Sequence, residues 1–382
     1  LKKDPAVRTL AERRPGLGNL STNQEALIVA SAFLACGRSM VIVKPNIFEA
    51  QNLSQRIHEY LGEGAYFFGV EESLQVEAIA SSPETEASRL ETLAALSVRK
   101  EPSLVVTHLA GIERYLPSPA LFRQRMISLK VGQVIEPSEL RNSLRLAGYR
   151  LVDRVEQPLT YSYRGEVVDI YSVSEDHPVR VEFFDNEIDS IRYFGVEDQL
   201  TISRIGSFTA VPSTDLLFSR EDLQQIRAKA EAKLEADSQK LNEEEKAEFR
   251  ENIRLDLSYL DENIHENYLY KYFAFVLQAY GLLDYLNDPL VILSPAEMVY
   301  DHRSSMLDQN VGYIRDMASE RRGVAKDEVY RGDKEVLGGK DVYEISEFPV
   351  TDKNARTQIR PADFPVLSLD MAMREVGNVA RE

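Results

Sequence analysis

The stretch with the most promise for chemistry is Gly16-Leu17-Gly18-Asn19-Leu20-Ser21-Thr22-Asn23, which lies directly before a helical pattern. A glycine-rich turn that opens a helix is where backbone N–H groups cradle phosphates, and the working spacing is G-x-x-x-x-G-K-[ST]. The lysine reaches the terminal phosphates and the hydroxyl holds Mg²⁺. Aligned on Gly16, this chain carries Ser21 for the second glycine, Thr22 for the lysine and Asn23 for the Ser/Thr. The other half of such a site is a pair of carboxylates after a buried strand. The apolar run Leu290-Val291-Ile292-Leu293 is followed by Ser294-Pro295-Ala296-Glu297, so Ser and Pro stand where two carboxylates are needed. With both elements missing, the spacing predicts a disabled phosphate site: no catalytic residues and no cofactor, neither ATP nor Mg²⁺, in this segment.

Other chemistry is thin. His58, His108, His177, His265 and His302 are scattered without H-x-x-x-H spacing, so no metal site is expected. Cys36 is the only cysteine, which excludes an intrachain disulfide and a cysteine-cluster zinc site; it is expected to be a buried structural thiol. No G-x-S-x-G elbow occurs. The net charge of −17, from 45 basic and 62 acidic residues, argues against DNA as the main partner of this segment and for a protein partner with a basic or mixed surface. No apolar run approaches the roughly 20 residues that span a bilayer, and the start lacks the apolar core of a signal peptide. A cytoplasmic protein with no membrane partner is expected.

The elements that would position these residues fall into blocks. Helix and strand alternate over the first 125 residues or so: helix Gln24–Ala35, strand Met40–Val43, helix Ile47–Leu61, strand Tyr66–Phe68, helix Glu86–Leu96, strand Leu104–Thr107. Such alternation implies a mostly parallel sheet with helices on its faces. From about Arg125 to Pro212 one helix, Ser138–Leu146, ends at Gly148, and the rest reads as strands: Val167–Tyr171, Val179–Phe184 and Glu187–Phe194, the last two joined by an Asp185-Asn186 turn. Helical signals then dominate. Ser219 with Asp222 and Asn242 with Glu245 open two helices, and a third carries Tyr268, Tyr272, Phe275 and Val276. The strand Leu290–Leu293 restores the α/β pattern. The fold class expected is α/β: a degenerate P-loop NTPase-like parallel-sheet domain split by a small inserted α+β domain. Its first part covers 1–127, the insertion 128–212, and its helix-rich second part 213–325. Residues 326–382 read as a linker or the start of a further domain, and the end at Glu382 as a cut.

The inserted segment carries a resemblance. Tyr163-Arg164-Gly165-Glu166-Val167-Val168-Asp169-Ile170-Tyr171 is similar to a family segment R-G-x-[IVL]-[IVL]-D-[IVL]. Val179 to Arg192 is similar to R-[IVL]-[ED]-F-F-D-[DN]-E-I-[ED]-S-[IL]-R. Both segments, their spacing and the upstream Gly148-Tyr149 resemble the amino-terminal region of bacterial transcription-repair coupling factors, a module that the excinuclease B subunit shares. The resemblance covers about residues 10–320. It implies a docking module that recruits the excinuclease A subunit (UvrA) in nucleotide excision repair. RNA polymerase and DNA would be partners only through downstream domains, which in that family form an ATP-driven translocase. It also implies partner-binding roles for Arg164, the Arg before Gly in the first segment, Arg180, which opens the second, and Phe184, the second Phe of its pair.

The residues alone give that assignment partial support. Alternation along Val179–Phe184 puts Val179, Val181 and Phe183 on one face and Arg180, Glu182 and Phe184 on the other. An exposed Phe beside an Arg has the composition of a binding hot spot. The competing reading packs Phe184 under a loop and pairs Arg180 with Glu182; Arg192 is open to a pair with Asp189. Two other functions remain in view: an excinuclease B-like, ATP-dependent subunit, and an intramolecular clamp in which another domain hides the docking face.

Overall fold

The computed structural model describes residues 4–348 apart from 15, 63, 81, 240 and 323–329. Its strands are β1 (Met40–Lys44), β2 (Ala65–Phe68), β3 (Leu104–His108), β4 (Ile127–Lys130), β5 (Arg150–Leu151), β6 (Thr160–Arg164), β7 (Val167–Tyr171), β8 (Val179–Phe184), β9 (Glu187–Phe194), β10 (Thr201–Ile205), β11 (Ser207–Ala210), β12 (Leu290–Leu293) and β13 (Asp341–Glu344). Five of them form one parallel sheet in the order β13-β12-β1-β3-β2.

This sheet explains the unbroken apolar runs. Met40, Ile42, Leu104, Val106, Leu290 and Ile292 pack into one core with the helices Pro5–Ala11, Thr22–Cys36 and Ile47–Leu61. Val41, Val43, Val105, Val291 and Leu293 point the other way, into a core with the helices Pro83–Val98, Pro119–Arg125 and Ala296–Ser319. A strand covered on both faces needs apolar side chains at every position, so it loses the alternation of a half-exposed strand.

Between the first and last thirds of this domain, the chain makes a separate sheet in the order β10-β9-β8-β7-β6-β5. Its core face packs Val168, Ile170, Val179, Val181, Phe183, Ile188 and Ile191 against Leu140 and Leu144 of the helix Pro137–Leu146. The strands β4 and β11 pair antiparallel and tie the two ends of this unit together. After it comes a helical hairpin, Arg220–Ser238 and Glu243–Glu262; the capping box expected at Ser219 and Asp222 is formed, and the second helix starts at Asn242 as expected, with a box to Glu245 as well.

Three expectations need correction. The aromatic segment after the hairpin is a 3-10 helix, Asn267–Phe275, and not an α-helix. Its Tyr270 hydroxyl receives the Tyr115 N–H and its Tyr272 hydroxyl binds Asp256, contacts that hold the tighter winding in place. The region expected as a linker contributes to the domain: β13 extends the parallel sheet beside β12, and Ser346 bridges to Gly18. Residues 349–382 of that region lie outside the described ones. Cys36 is exposed; it is the last residue of its helix, on the solvent side.

Candidate docking face of the inserted sheet

Cross-strand register decides which side chains share a face, because directly opposite residues on neighbouring strands point the same way. Arg164 stands opposite Val167, and Val167 opposite Glu182. Asp169 stands opposite Arg180, Arg180 opposite Arg192, and Arg192 opposite Arg204. Phe184 stands opposite Glu187. Arg164, Arg180 and Phe184 therefore all lie on the face turned away from the Val168–Val181–Ile191 core. The structure brings the three expected residues to one surface.

Their surroundings differ. Phe184 is 78% exposed and packs under no loop. It ends β8 at a tight hairpin in which Asp185 takes φ +57°, a left-handed conformation that Asp tolerates better than most residues. Arg164 is exposed, and its Nη2 donates to the Asp153 carbonyl at 2.8 Å, which orients the side chain without neutralising it. Arg180 is only 19% exposed, contrary to the expectation of a free surface arginine. Its Nε and Nη2 grip Asp169 at 2.7 and 2.8 Å, Nη2 also donates to Gln199, and the guanidinium lies 4.4 Å over the Phe194 ring. The bidentate bond to Asp169 raises its pKa further, so the charge is permanent.

Glu182 is not the partner of Arg180. It takes Arg192 in a two-pronged pair at 2.5 and 2.6 Å and the Ser190 hydroxyl at 2.7 Å. Burial pushes the Glu182 carboxyl up, but the bonds from Ser190 and Arg192 outweigh it and hold the group below its usual range. Arg192 therefore pairs across the strands with Glu182 and not along its own strand with Asp189. Sequence reading missed Asp169 as an anchor. The signal was an acid inside the apolar strand Val167–Tyr171, since a carboxylate in such a place needs a partner. The loops around 153–157 and 195–200 meet at one end of the face, where Arg154 donates to the Val196 and Glu197 carbonyls. Phe184 lies toward the opposite, turn-bearing end, while Arg164, at the turn into β7, reaches back to Asp153 of the first of these loops.

The glycine-rich segment of the parallel-sheet domain runs into the helix Thr22–Cys36. Ser21 caps the helix Thr22–Cys36 in a box with Gln24, and Thr22 and Asn23 are exposed at its first turn. Gly18 runs against residues 346–348: a Cβ there would lie 2.5 Å from the Phe348 carbonyl. Glu25, also in the first turn, is buried and paired with Lys44 at the end of β1 at 2.9 Å. Ser294 follows β12, and its N–H binds the Val43 carbonyl. None of the described helices is long and apolar enough to cross a membrane.

One family model matches the inserted sheet. Residues 127–216 match the family described as the UvrB interaction domain. The chain is 28% identical over 308 residues to the transcription-repair-coupling factor of Bacillus subtilis (strain 168), covering 80% of this chain and 26% of that protein. It is 25% identical over 311 residues to that of Staphylococcus haemolyticus (strain JCSC1435), again covering 80% and 26%. A shorter match, 31% identical over 209 residues, covers 54% of this chain and 18% of the Staphylococcus epidermidis (strain ATCC 12228 / FDA PCI 1200) protein. The chain thus spans about a quarter of the length of the curated relatives that it matches over four-fifths of its own.

Proposed function

From a chain that resembles transcription-repair-coupling factors over four-fifths of its length and carries a UvrB interaction domain, we propose a docking module that recruits the excinuclease A subunit to sites of stalled transcription. The observation that carries this reading is Phe184: a large apolar side chain, 78% exposed, on the face it shares with Arg164 and Arg180 and within the matched residues 127–216. A lone exposed phenylalanine costs solubility and returns nothing to the fold. Beside arginines on a rigid sheet, it has the make-up of a binding anchor.

In this reading Phe184 fills an apolar pocket on the partner. Arg164 and the unspent Nη1 of Arg180 donate charge-assisted hydrogen bonds to its acidic or polar groups. The parallel-sheet domain is a scaffold without nucleotide chemistry. Thr22 and Asn23 stand where the lysine and the magnesium-holding Ser/Thr are needed, and Lys44, the cation beside the helix start, is taken by Glu25. Translocation on DNA and contact with RNA polymerase would belong to the parts of the relatives that this chain does not span. The test is a titration of the chain and its Phe184→Ala variant against purified excinuclease A subunit. The variant should bind about 2–4 kcal/mol more weakly, the hot-spot range, with unchanged thermal stability. Wild-type affinity in the variant would refute the assignment.

A further inference from the structure

Charge on the docking face is distributed unevenly among its arginines. Across β7 to β10 one row reads Asp169, Arg180, Arg192, Arg204, each opposite the next. Arg180 is taken by Asp169, and Arg192 by Glu182. Arg204 is exposed and has no hydrogen-bond or ionic partner among the described residues. Its direct neighbour across the strands is another arginine, an arrangement that costs free energy in the isolated chain unless a carboxylate arrives from outside. The acidic residues Glu166 and Glu187 sit in or beside the turns at the end of the sheet, away from this position. The strand that carries Arg204 is the edge of its sheet; Leu200 just before it and Ile202 within it are 66% and 51% exposed.

We infer that Arg204 is a further docking residue: it extends the partner-binding face from Phe184 across to the β10 edge and receives a carboxylate of the docked protein there. This rests on the docking reading of Phe184 given above. The physical basis is the unspent guanidinium. Arg180 has committed Nε and Nη2 and Arg192 has committed Nη1 and Nη2 inside the chain, whereas none of the five donors of Arg204 is taken among the described residues. An exposed charge at the margin of an interface acts mainly through encounter rate and is screened by salt.

The experiment titrates the 382-residue chain and its Arg204→Glu, Arg204→Ala and Arg204→Lys variants against purified excinuclease A subunit, at about 0.05 M and about 1 M salt, beside Phe184→Ala. Arg204→Glu should weaken binding roughly tenfold at low salt and Arg204→Ala by less, with both losses shrinking at high salt. Arg204→Lys, which keeps the charge, should retain most of the affinity. If Phe184→Ala binds weakly while Arg204→Glu and Arg204→Ala bind as the wild type does, this inference falls and the docking reading stands. If none of the variants changes affinity, the docking reading falls and takes this inference with it. A loss in Arg204→Glu that is equal at both salt concentrations would also overturn the assignment, because it would not be electrostatic.

Discussion

At the scale of single residues, exposure separates two jobs that composition had joined. Among the described residues, the Phe184 side chain is left 78% exposed. Arg180 holds Asp169, which is itself buried, so it stabilises the sheet as well as lining its face. Removing the guanidinium would leave a carboxylate without its counter-charge. Arg180→Ala should therefore cost about 2 kcal/mol of stability. That lies below the roughly 3–5 kcal/mol typical of a fully buried pair, because both side chains keep some contact with water. Adding Asp169→Asn should recover part of the loss, and urea unfolding of the two variants measures both. An unshifted urea midpoint in Arg180→Ala would mean that Asp169 does not depend on it. Affinity lost on Arg180→Ala thus mixes two effects, which is why Phe184→Ala is the cleaner probe of docking.

At the scale of elements, the inserted sheet is closed by a clasp at the end of its helix. Gly148 follows the C-cap of Pro137–Leu146 with φ +91°, a left-handed conformation that other residues adopt with strain. Around it the chain returns: Ser213 N–H binds the Ala147 carbonyl, and the buried Tyr149 hydroxyl binds that of Val211. A Cβ on Gly148 would lie 2.5 Å from Thr214 Cγ2 and 2.8 Å from Ser213 Oγ. Gly148→Ala combines backbone strain with a clash, and should destabilise by about 2 kcal/mol or more. A urea midpoint equal to that of the wild type would rule this out. The helix and its stop were legible in sequence, because a glycine after a helical run is a local signal. The clasp was not, because its other half lies more than sixty residues further on.

At the scale of the whole molecule, Asp215 fastens the return of the insertion to the parallel-sheet domain. It is fully enclosed with Arg89 at 3.1 Å and Arg114 at 2.9 Å. Burial alone would raise its pKa, but Arg114 and Arg89 outweigh it and bring the carboxyl down to about 2. An unfolded aspartate titrates near 3.9. The stability that Asp215 contributes is therefore complete above about pH 4 and is lost as pH falls through about 2, on the order of 2 kcal/mol. His108 and His265 act in the same direction from higher pH. Burial depresses them to about 3 and about 4, below the unfolded value near 6.5, and His108 must stay neutral to accept the Val70 N–H. Unfolding free energy followed by urea titration should fall steadily from about pH 6.5 to pH 4, with a further fall below it. A flat profile between pH 7 and pH 4 would contradict the histidine assignment. Asp215→Asn should lose the acid-most part of the dependence and be less stable at neutral pH.

The sequence by itself determined four of the five strands of the parallel sheet and the alternation of β8, because burial on two faces or on one writes its period directly into residue type. It also held the family segments that single out Arg164, Arg180 and Phe184, and the substitutions at Thr22, Asn23 and Ser294-Pro295. It could not show β13: Asp-Val-Tyr-Glu has too little apolar character to be read as a strand, and it becomes one only by pairing with β12 from the far side of the fold. Nor could it show that Arg180 spends its charge on Asp169 while Arg204 keeps its own. Those outcomes depend on cross-strand register, and register is fixed when the sheet closes on its core, not by any residue's immediate neighbours.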